Sequence, residues 1–311
     1  MGYKLAGFNH LGGVEIDPQV ADVYKENHKP KYLFVEDIRE FNKRTDLPKE
    51  LFNLDILDGS PPCSTFSMAG SREKAWGKEK QFREGQAVQT LDDLVFVYCD
   101  TIIKLQPKVF LLENVKGIIQ GNAKAYSKEI VKKMTAAGYV VQVFCLNAAS
   151  MGVPQKRERV FFIGHKKEFV LPKLELNFDE KVILFSEVFD KNDTEKNITD
   201  RELKLFDKRI KSDLHLGMVN DRVNGSKSNF TTMLQKSYDV AYTITSSDNN
   251  ILYDVPRNIN NNEAKLIGTY PLDYNFKSIE PKYLIGMSVP PVMTAQISHQ
   301  IYLQWLIKIK Q

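Results

Sequence analysis

The feature that most constrains this chain is an alternation. Up to about residue 165, short apolar runs trade places with amphipathic stretches, and the runs end in polar, chemically capable residues. Leu11–Ile16 reads as a strand, Pro18–Asn27 as a helix and Tyr32–Val35 as a strand. Leu54–Leu57 reads as another strand, running into Asp58-Gly-Ser-Pro-Pro-Cys63. Leu91–Leu105 has helical spacing of its apolar residues (Leu94, Val97, Ile102, Leu105), and Val109–Leu112 is a buried-strand pattern ending in Glu113-Asn114-Val115. Ser127–Ala137 reads as a helix, and Val140–Leu146 and Val160–Ile163 as closing strands. Strands alternating with helices predict an α/β fold, a parallel or mixed sheet covered by helices. Ligands of such sheets bind beyond the carboxyl ends of the strands. Glu15, Asp37, Cys63 and Glu113 each fall at or just past such an end.

After residue 165 the character changes. Residues 166–262 are polar and weakly periodic, with a loop-like stretch at Asn220–Ser228, and are expected to form a small separate lobe; a disordered insertion is the alternative. Residues 263–311 turn regular again, end in an apolar helix, Val292–Ile309, and are expected to return to the first domain, 1–165. The chain has 311 residues and a formal net charge of +4, which fits an anionic partner without selecting one. Three cysteines, Cys63, Cys99 and Cys145, are odd in number and widely spaced. That pattern argues against a disulfide framework and against a metal site, and for a reducing cytoplasm. The sequence contains no apolar run long enough to span a membrane and no signal-peptide h-region at its start.

Three stretches carry chemistry. In Gly59-Ser-Pro-Pro-Cys63, two prolines stiffen the backbone before a cysteine on a strand-to-helix loop, as suits a nucleophile; a buried structural cysteine is the alternative. Glu113 ends an apolar strand, where a carboxylate is expensive without a task or a partner; a capping network is the alternative. In Gln155-Lys-Arg157-Glu-Arg159, an extended backbone puts Arg157 and Arg159 on one face, a clamp for oxygen acceptors; a solvated basic edge strand is the alternative.

Together and in this order, these stretches resemble the C5-cytosine-specific DNA methyltransferases, of the bacterial restriction–modification or phage type. GSPPCSTFS resembles the proline–cysteine motif, LLENVKGI the glutamate–asparagine–valine motif, and NAASMGVPQKRERVFFIG the Gln-x-Arg-x-Arg motif over its length. The resemblance covers most of 1–165 and again about 240–300. It implies a Rossmann-like S-adenosylmethionine-dependent fold with an irregular target-recognition lobe at 166–262. It also implies a base flipped out of double-stranded DNA, since its ring atoms are unreachable in the stack. Cys63 is expected to attack C6, Glu113 to engage the N3/N4 edge and Arg159 to hold O2. Arg157 is expected to support the nucleophile or a phosphate, Asn114 to brace the Pro–Cys loop, and Gln155 to serve as structural support. For S-adenosyl-L-methionine the resemblance implies Glu15 and Ile16 at the ribose and Asp37 and Ile38 at adenine. It implies Ser60, Pro62 and Leu94 on the methionine side, and Ser288 and Val289 in the final motif. Glu263–Pro271 resembles the motif that supports the recognition lobe.

The sequence also departs from the family pattern. The ribose acid should lie roughly 20 residues after the first glycine of a cofactor-cradling turn, yet Glu15 follows a helix end (Tyr3–Ala6, Gly7 as its cap) and a strand start. The family's first strand and its glycine-rich turn are therefore expected to be missing. A late start codon is the favoured explanation, a second polypeptide or a decayed relative the others, and weak cofactor binding the expected consequence. Met287 stands where the family usually carries asparagine, and Ser64 where many members carry glutamine. The chain is expected to be a monomer. A tRNA cytosine-5 methyltransferase and a catalytically silent DNA-binding relative are the competing functions, and the recognised DNA sequence is not legible.

Overall fold

The structure is a computed structural model that describes residues 1–62, 79–80, 89–90, 93–193, 196–225, 227, 232–247 and 250–309. Its first half runs α1 (Gly2–Leu5), β1 (Gly12–Val14), α2 (Pro18–His28), β2 (Tyr32–Phe34), α3 (Ile38–Lys43), β3 (Ile56–Gly59), β4 (Glu79–Lys80), β5 (Gln89–Thr90), α4 (Leu94–Leu105), β6 (Val109–Val115), α5 (Lys124–Ala136), β7 (Tyr139–Asn147), β8 (Gln155–Lys156) and β9 (Glu158–Lys166). There follow α6 (Asp200–Phe206), α7 (Leu216–Asn224), β10 (Met233–Gln235), β11 (Ala241–Tyr242), β12 (Asn250–Leu252), α8 (Asn261–Ile267), α9 (Pro281–Met287), α10 (Pro291–Ile301) and α11 (Ile307–Ile309). Contacts divide the chain into two units, one of residues 9–146, 158–177 and 297–311, the other of residues 1–8, 147–157 and 178–296. The division falls between Arg157 and Glu158, inside the arginine motif and upstream of the boundary expected after residue 165.

The first unit holds the main sheet, of order β3-β6-β9-β7. β3 runs parallel to β6, with Ile56 opposite Val109 and Gly59 opposite Leu112, and β9 runs antiparallel to β6. β6 is buried along its length except at Val115. Its Phe110 and Leu112 pack with Val95, Tyr98 and Ile102 of α4 and Ile130 and Met134 of α5. The face of α4 in this core is Val95, Tyr98, Cys99 and Ile102; of the expected stripe Ile102 lies here, while Leu105 packs in a second cluster and Val97 is half-buried.

β1 and β2 form a separate parallel pair. A side chain at Gly12 would put its Cβ 1.8 Å from the Tyr32 carbonyl oxygen, so only glycine allows this approach. Asp17 caps α2 by accepting the N–H groups of Gln19 and Val20, with Pro18 in the first turn. Among the described residues no strand pairing joins β1 or β2 to β3. The helical layer nevertheless spans both pieces. Asn42 of α3 donates to the Val97 carbonyl of α4 at 3.1 Å, and Val14, Phe34 and Leu57 share one apolar cluster with Phe41 and Leu105.

Two expectations change. Asn220–Ser228 is not a loop throughout: α7 extends to Asn224, capped at its start by His215 and at its end by Gly225 at φ 68°. With Leu205, Phe206, Leu234 and Ile251, its Leu216 and Val219 build a core of their own, so the described part of the polar lobe is folded. The C-terminal helix is not one regular run, because α10 passes into a π-helical turn at Tyr302–Leu306 that buries Trp305 and lets its indole donate to the Pro172 carbonyl at 2.8 Å. Among the described residues no helix is long and apolar enough to cross a membrane.

Candidate active site

In the sheet-bearing unit, antiparallel register sets Glu113 opposite Phe161 and Val115 opposite Arg159. Glu113 and Arg159 are therefore diagonal neighbours on one face, within reach of long side chains. They form an ion pair, Nε to Oε1, of 3.0 Å. Their side chains are only 11% and 15% exposed, so both charges are largely removed from water and depend on each other. Burial pulls the Arg159 guanidinium below its ordinary pKa, and Glu113 works against that shift. Arg159 also donates to the Glu158 carbonyl at 2.8 Å.

Next along β6, Asn114 is buried; its amide nitrogen lies 3.4 Å from the Pro61 carbonyl and its amide oxygen accepts the Val115 N–H at 2.9 Å. Tyr98 of α4 donates from its hydroxyl to Leu57 at 3.1 Å and Leu111 at 3.0 Å, sewing β3 to β6. A Cβ at Gly59 would fall 2.4 Å from the Tyr98 ring, so the strand leading to the Pro–Cys loop needs glycine there. Ser60 and Pro62 are exposed. Cys63 lies outside the described residues, as does Ser64. Neither other cysteine suits a nucleophile: Cys99 is fully buried, with burial pushing its thiol up to about 12, and burial also raises the thiol of the exposed Cys145.

Around β1 and β2, Glu15 accepts the Asp17 N–H at 2.9 Å, and Ile16 is half-buried beside it. Asp37 caps α3 through the Arg39 N–H at 2.8 Å and pairs with the Arg39 guanidinium at 3.2 Å; Arg39 also pairs with Asp93. Ile38 packs on the main core, and Leu94 is buried in the first turn of α4. Sequence reasoning missed Asp58, Tyr98, Arg39 and Asp93. Asp58 is exposed to solvent, yet protein surrounds it closely enough for burial to push its carboxyl up to about 6. The two observations agree if the side chain lines a recess, where solvent touches it but the dielectric is poor.

The other unit holds Arg157, which lies between β8 and β9. The chain breaks regular strand at Arg157, between β8 and β9, so alternation does not run through it. Arg157 is 1% exposed and donates to the carbonyls of Ile244 at 3.0 Å and Gly286 at 2.8 Å, and to the Gln155 side chain at 3.4 Å. Gln155 is buried and donates to the Ile267 carbonyl at 3.4 Å, an internal tie. Ser288 and Val289 are half-buried just past α9; the Ser288 hydroxyl donates to Ile285 at 3.0 Å and accepts from Tyr270 at 2.9 Å. Met287 is 49% exposed.

Residues 1–303 match the family described as C-5 cytosine-specific DNA methylase. The chain is 34% identical over 182 residues to the type II methyltransferase M.FnuDI of Fusobacterium nucleatum, covering 57% of this chain and 46% of that protein. It is 32% identical over 203 residues to M.NgoPII of Neisseria gonorrhoeae, covering 62% and 54%. The matches thus span about half the length of the curated relatives. A crystal structure described as a DNA modification methyltransferase encoded within an E. coli prophage superposes with a TM-score of 0.65 at 19% identity, covering 97% of this chain and 94% of that one. A Spodoptera frugiperda DNMT2 mutant superposes with a TM-score of 0.63 at 15% identity, covering 97% and 95%. The fold is that of these methyltransferases, and the chain belongs to the C-5 cytosine-specific DNA methylase family.

Proposed function

We propose that this protein methylates C5 of cytosine in double-stranded DNA. The observation that carries the reading is the buried Glu113–Arg159 pair at the ends of two adjacent strands, next to an asparagine directed at the loop that leads to Cys63. A carboxylate and a guanidinium held this way present an acceptor or acid and a donor fork to one edge of a pyrimidine. In this reading the Cys63 sulfur bonds to C6 of the flipped base, which raises electron density at C5. Glu113 steadies the N3/N4 edge as that charge develops, and Arg159 holds O2. C5 accepts the methyl group and gives up its proton, and the electrons of the C5–H bond reform the ring double bond as sulfur leaves C6. Asn114 keeps the Pro–Cys loop in place throughout.

S-adenosylmethionine supplies the electrophilic methyl group. Glu15 and Asp37 fit it, because they put carboxylates at the carboxyl ends of two paired parallel strands, where a ribose diol and an adenine amino group need acceptors.

The test is trapping on a duplex carrying 5-fluorocytosine with cofactor present, where the missing C5 proton blocks release. A covalent adduct that disappears in Cys63→Ser is the expected result. No adduct would favour a silent DNA-binding protein, and methyl transfer to a tRNA transcript in preference to duplex DNA would replace the substrate.

A further inference from the structure

The polar lobe carries a group of cations that the proposed chemistry does not use, and its fold brings them together. β10 and β12 run parallel with Gln235 opposite Leu252, so the next residues, Lys236 and Tyr253, leave the two strands side by side. Arg209, three residues past the end of α6, reaches the same place. Its guanidinium carbon lies 3.6 Å from the centre of the Phe206 ring and 4.9 Å from that of Tyr253. Its Nε donates to the Tyr253 carbonyl and its Nη1 to the Phe206 carbonyl, both at 2.8 Å. The Lys236 ammonium lies 5.7 Å from the same Tyr253 ring and donates to the Lys211 carbonyl at 2.7 Å. The Lys211 ammonium in turn lies 5.5 Å from the ring of the exposed Tyr238. One chain of contacts, all within one unit, thus alternates cations with aromatic rings.

Among the described residues, none of these three cations has a carboxylate within ion-pair distance. The acids of the same loops are committed elsewhere, Asp213 to Arg222 and Asp239 to Lys156, each at 2.7 Å. Asp207 and Asp254, beside Phe206 and Tyr253 in the chain, are exposed. Lys236 is only 7% exposed, so its charge is largely out of water with a carbonyl and a ring as neighbours. A cation placed so is costly until an anion answers it.

The loop that bears the cations is also pinned. Arg222 donates to the Lys208 carbonyl at 2.9 Å, Lys236 holds Lys211, and Arg209 ties the loop to the end of β12. The two rings fix the plane of the Arg209 guanidinium, and its Nη2 is engaged by no described residue. Cations ordered in advance lose little freedom when they meet an anion. Several of them on one surface, backed by rings, suit a chain of phosphates better than a single small anion.

We propose that Arg209, Lys211 and Lys236 form a sequence-independent anchor for the phosphodiester backbone of double-stranded DNA. The inference rests on the reading of duplex DNA as the substrate, and it assigns these residues to phosphates, not to base edges.

The experiment measures binding of the full chain to two short duplexes of unrelated sequence by fluorescence anisotropy, over a series of salt concentrations. Lys211→Gln should weaken both duplexes equally, by about fivefold at physiological salt, and lower the slope of log affinity against log salt by about one. Arg209→Met, which keeps a flat apolar filler between the rings, should do the same. Thermal unfolding tells a lost contact from a lost fold, and the exposed Lys211 carries the test if Arg209→Met does not fold. Lys132→Gln removes a charge that is 78% exposed in the other unit and should leave the slope unchanged. An unchanged slope in Lys211→Gln, or a loss confined to one of the two duplexes, would overturn the proposal. So would a loss on phosphatidylserine vesicles with none on duplex. If the variants weaken duplex binding while the wild type forms no adduct with the 5-fluorocytosine duplex, the anchor stands and the methyl-transfer reading fails. If the wild type holds neither duplex, both fail.

Discussion

β6 and its neighbour β3 are built from the same kinds of residue, yet they live in different surroundings. β6 is bonded along both edges and is buried from Val109 to Asn114. Among the described residues β3 and β1 each have one bonded edge, and no residue of either strand is buried, although Ile56, Leu57 and Val14 are as apolar as anything in β6. The lesson is that burial in a sheet is conferred by the strand next door as much as by the helices above. The helices do cover both pieces: Lys104 of α4 donates to the Asn42 carbonyl of α3 at 2.7 Å, and one apolar cluster touches β1, β2 and β3.

The largest effect expected from this contrast lies on the well-bonded side. Arg159→Ala leaves the Glu113 charge buried without its ion-pair partner and should destabilise the chain by about 3–5 kcal/mol in urea unfolding. A loss below about 1 kcal/mol, the range of exposed pairs, would mean that water reaches the pair and that the sheet end is open. Next in size is a matched pair of truncations. Leu112→Ala should cost about 2–5 kcal/mol, because Leu112 is fully enclosed. Val14→Ala, on half-exposed β1, should cost about 1 kcal/mol or less, since little of its surface leaves water on folding. Equal losses would erase the contrast between the two pieces.

The sheet was legible where apolar residues formed continuous runs. Tyr32–Val35 and Val109–Leu112 were read nearly as they stand; β6 runs on to Val115 only because β9 supplies partners for Glu113 and Asn114. Leu11–Ile16 shrank to Gly12–Val14, the stretch that pairs with β2. Glu113 and Asn114 stood out because polar groups at the end of a buried strand demand an explanation. The carbonyls that meet Arg157 could not be read, since they lie 87 and 129 positions away. Tyr98 gave no signal either: an aromatic residue in an apolar helix looks like core until its hydroxyl is seen bridging two strands.

The smallest predicted effect concerns Asp58, on β3. Its carboxyl is raised from an ordinary value of about 4 to about 6 by burial. Between those values the folded protein holds a proton that the unfolded chain has released, so this group makes stability fall as pH rises through the window. The penalty is absent below about pH 4 and fully present above about pH 6. Asp58→Asn removes the titration and keeps the shape. Its unfolding free energy relative to wild type should therefore rise from pH 4 to pH 6 and then level off. Because Asp58 is reached by solvent, that rise should be a fraction of what a dry site would give. A difference that stays flat across this range would mean that Asp58 faces open water, and that no recess lies beside β3.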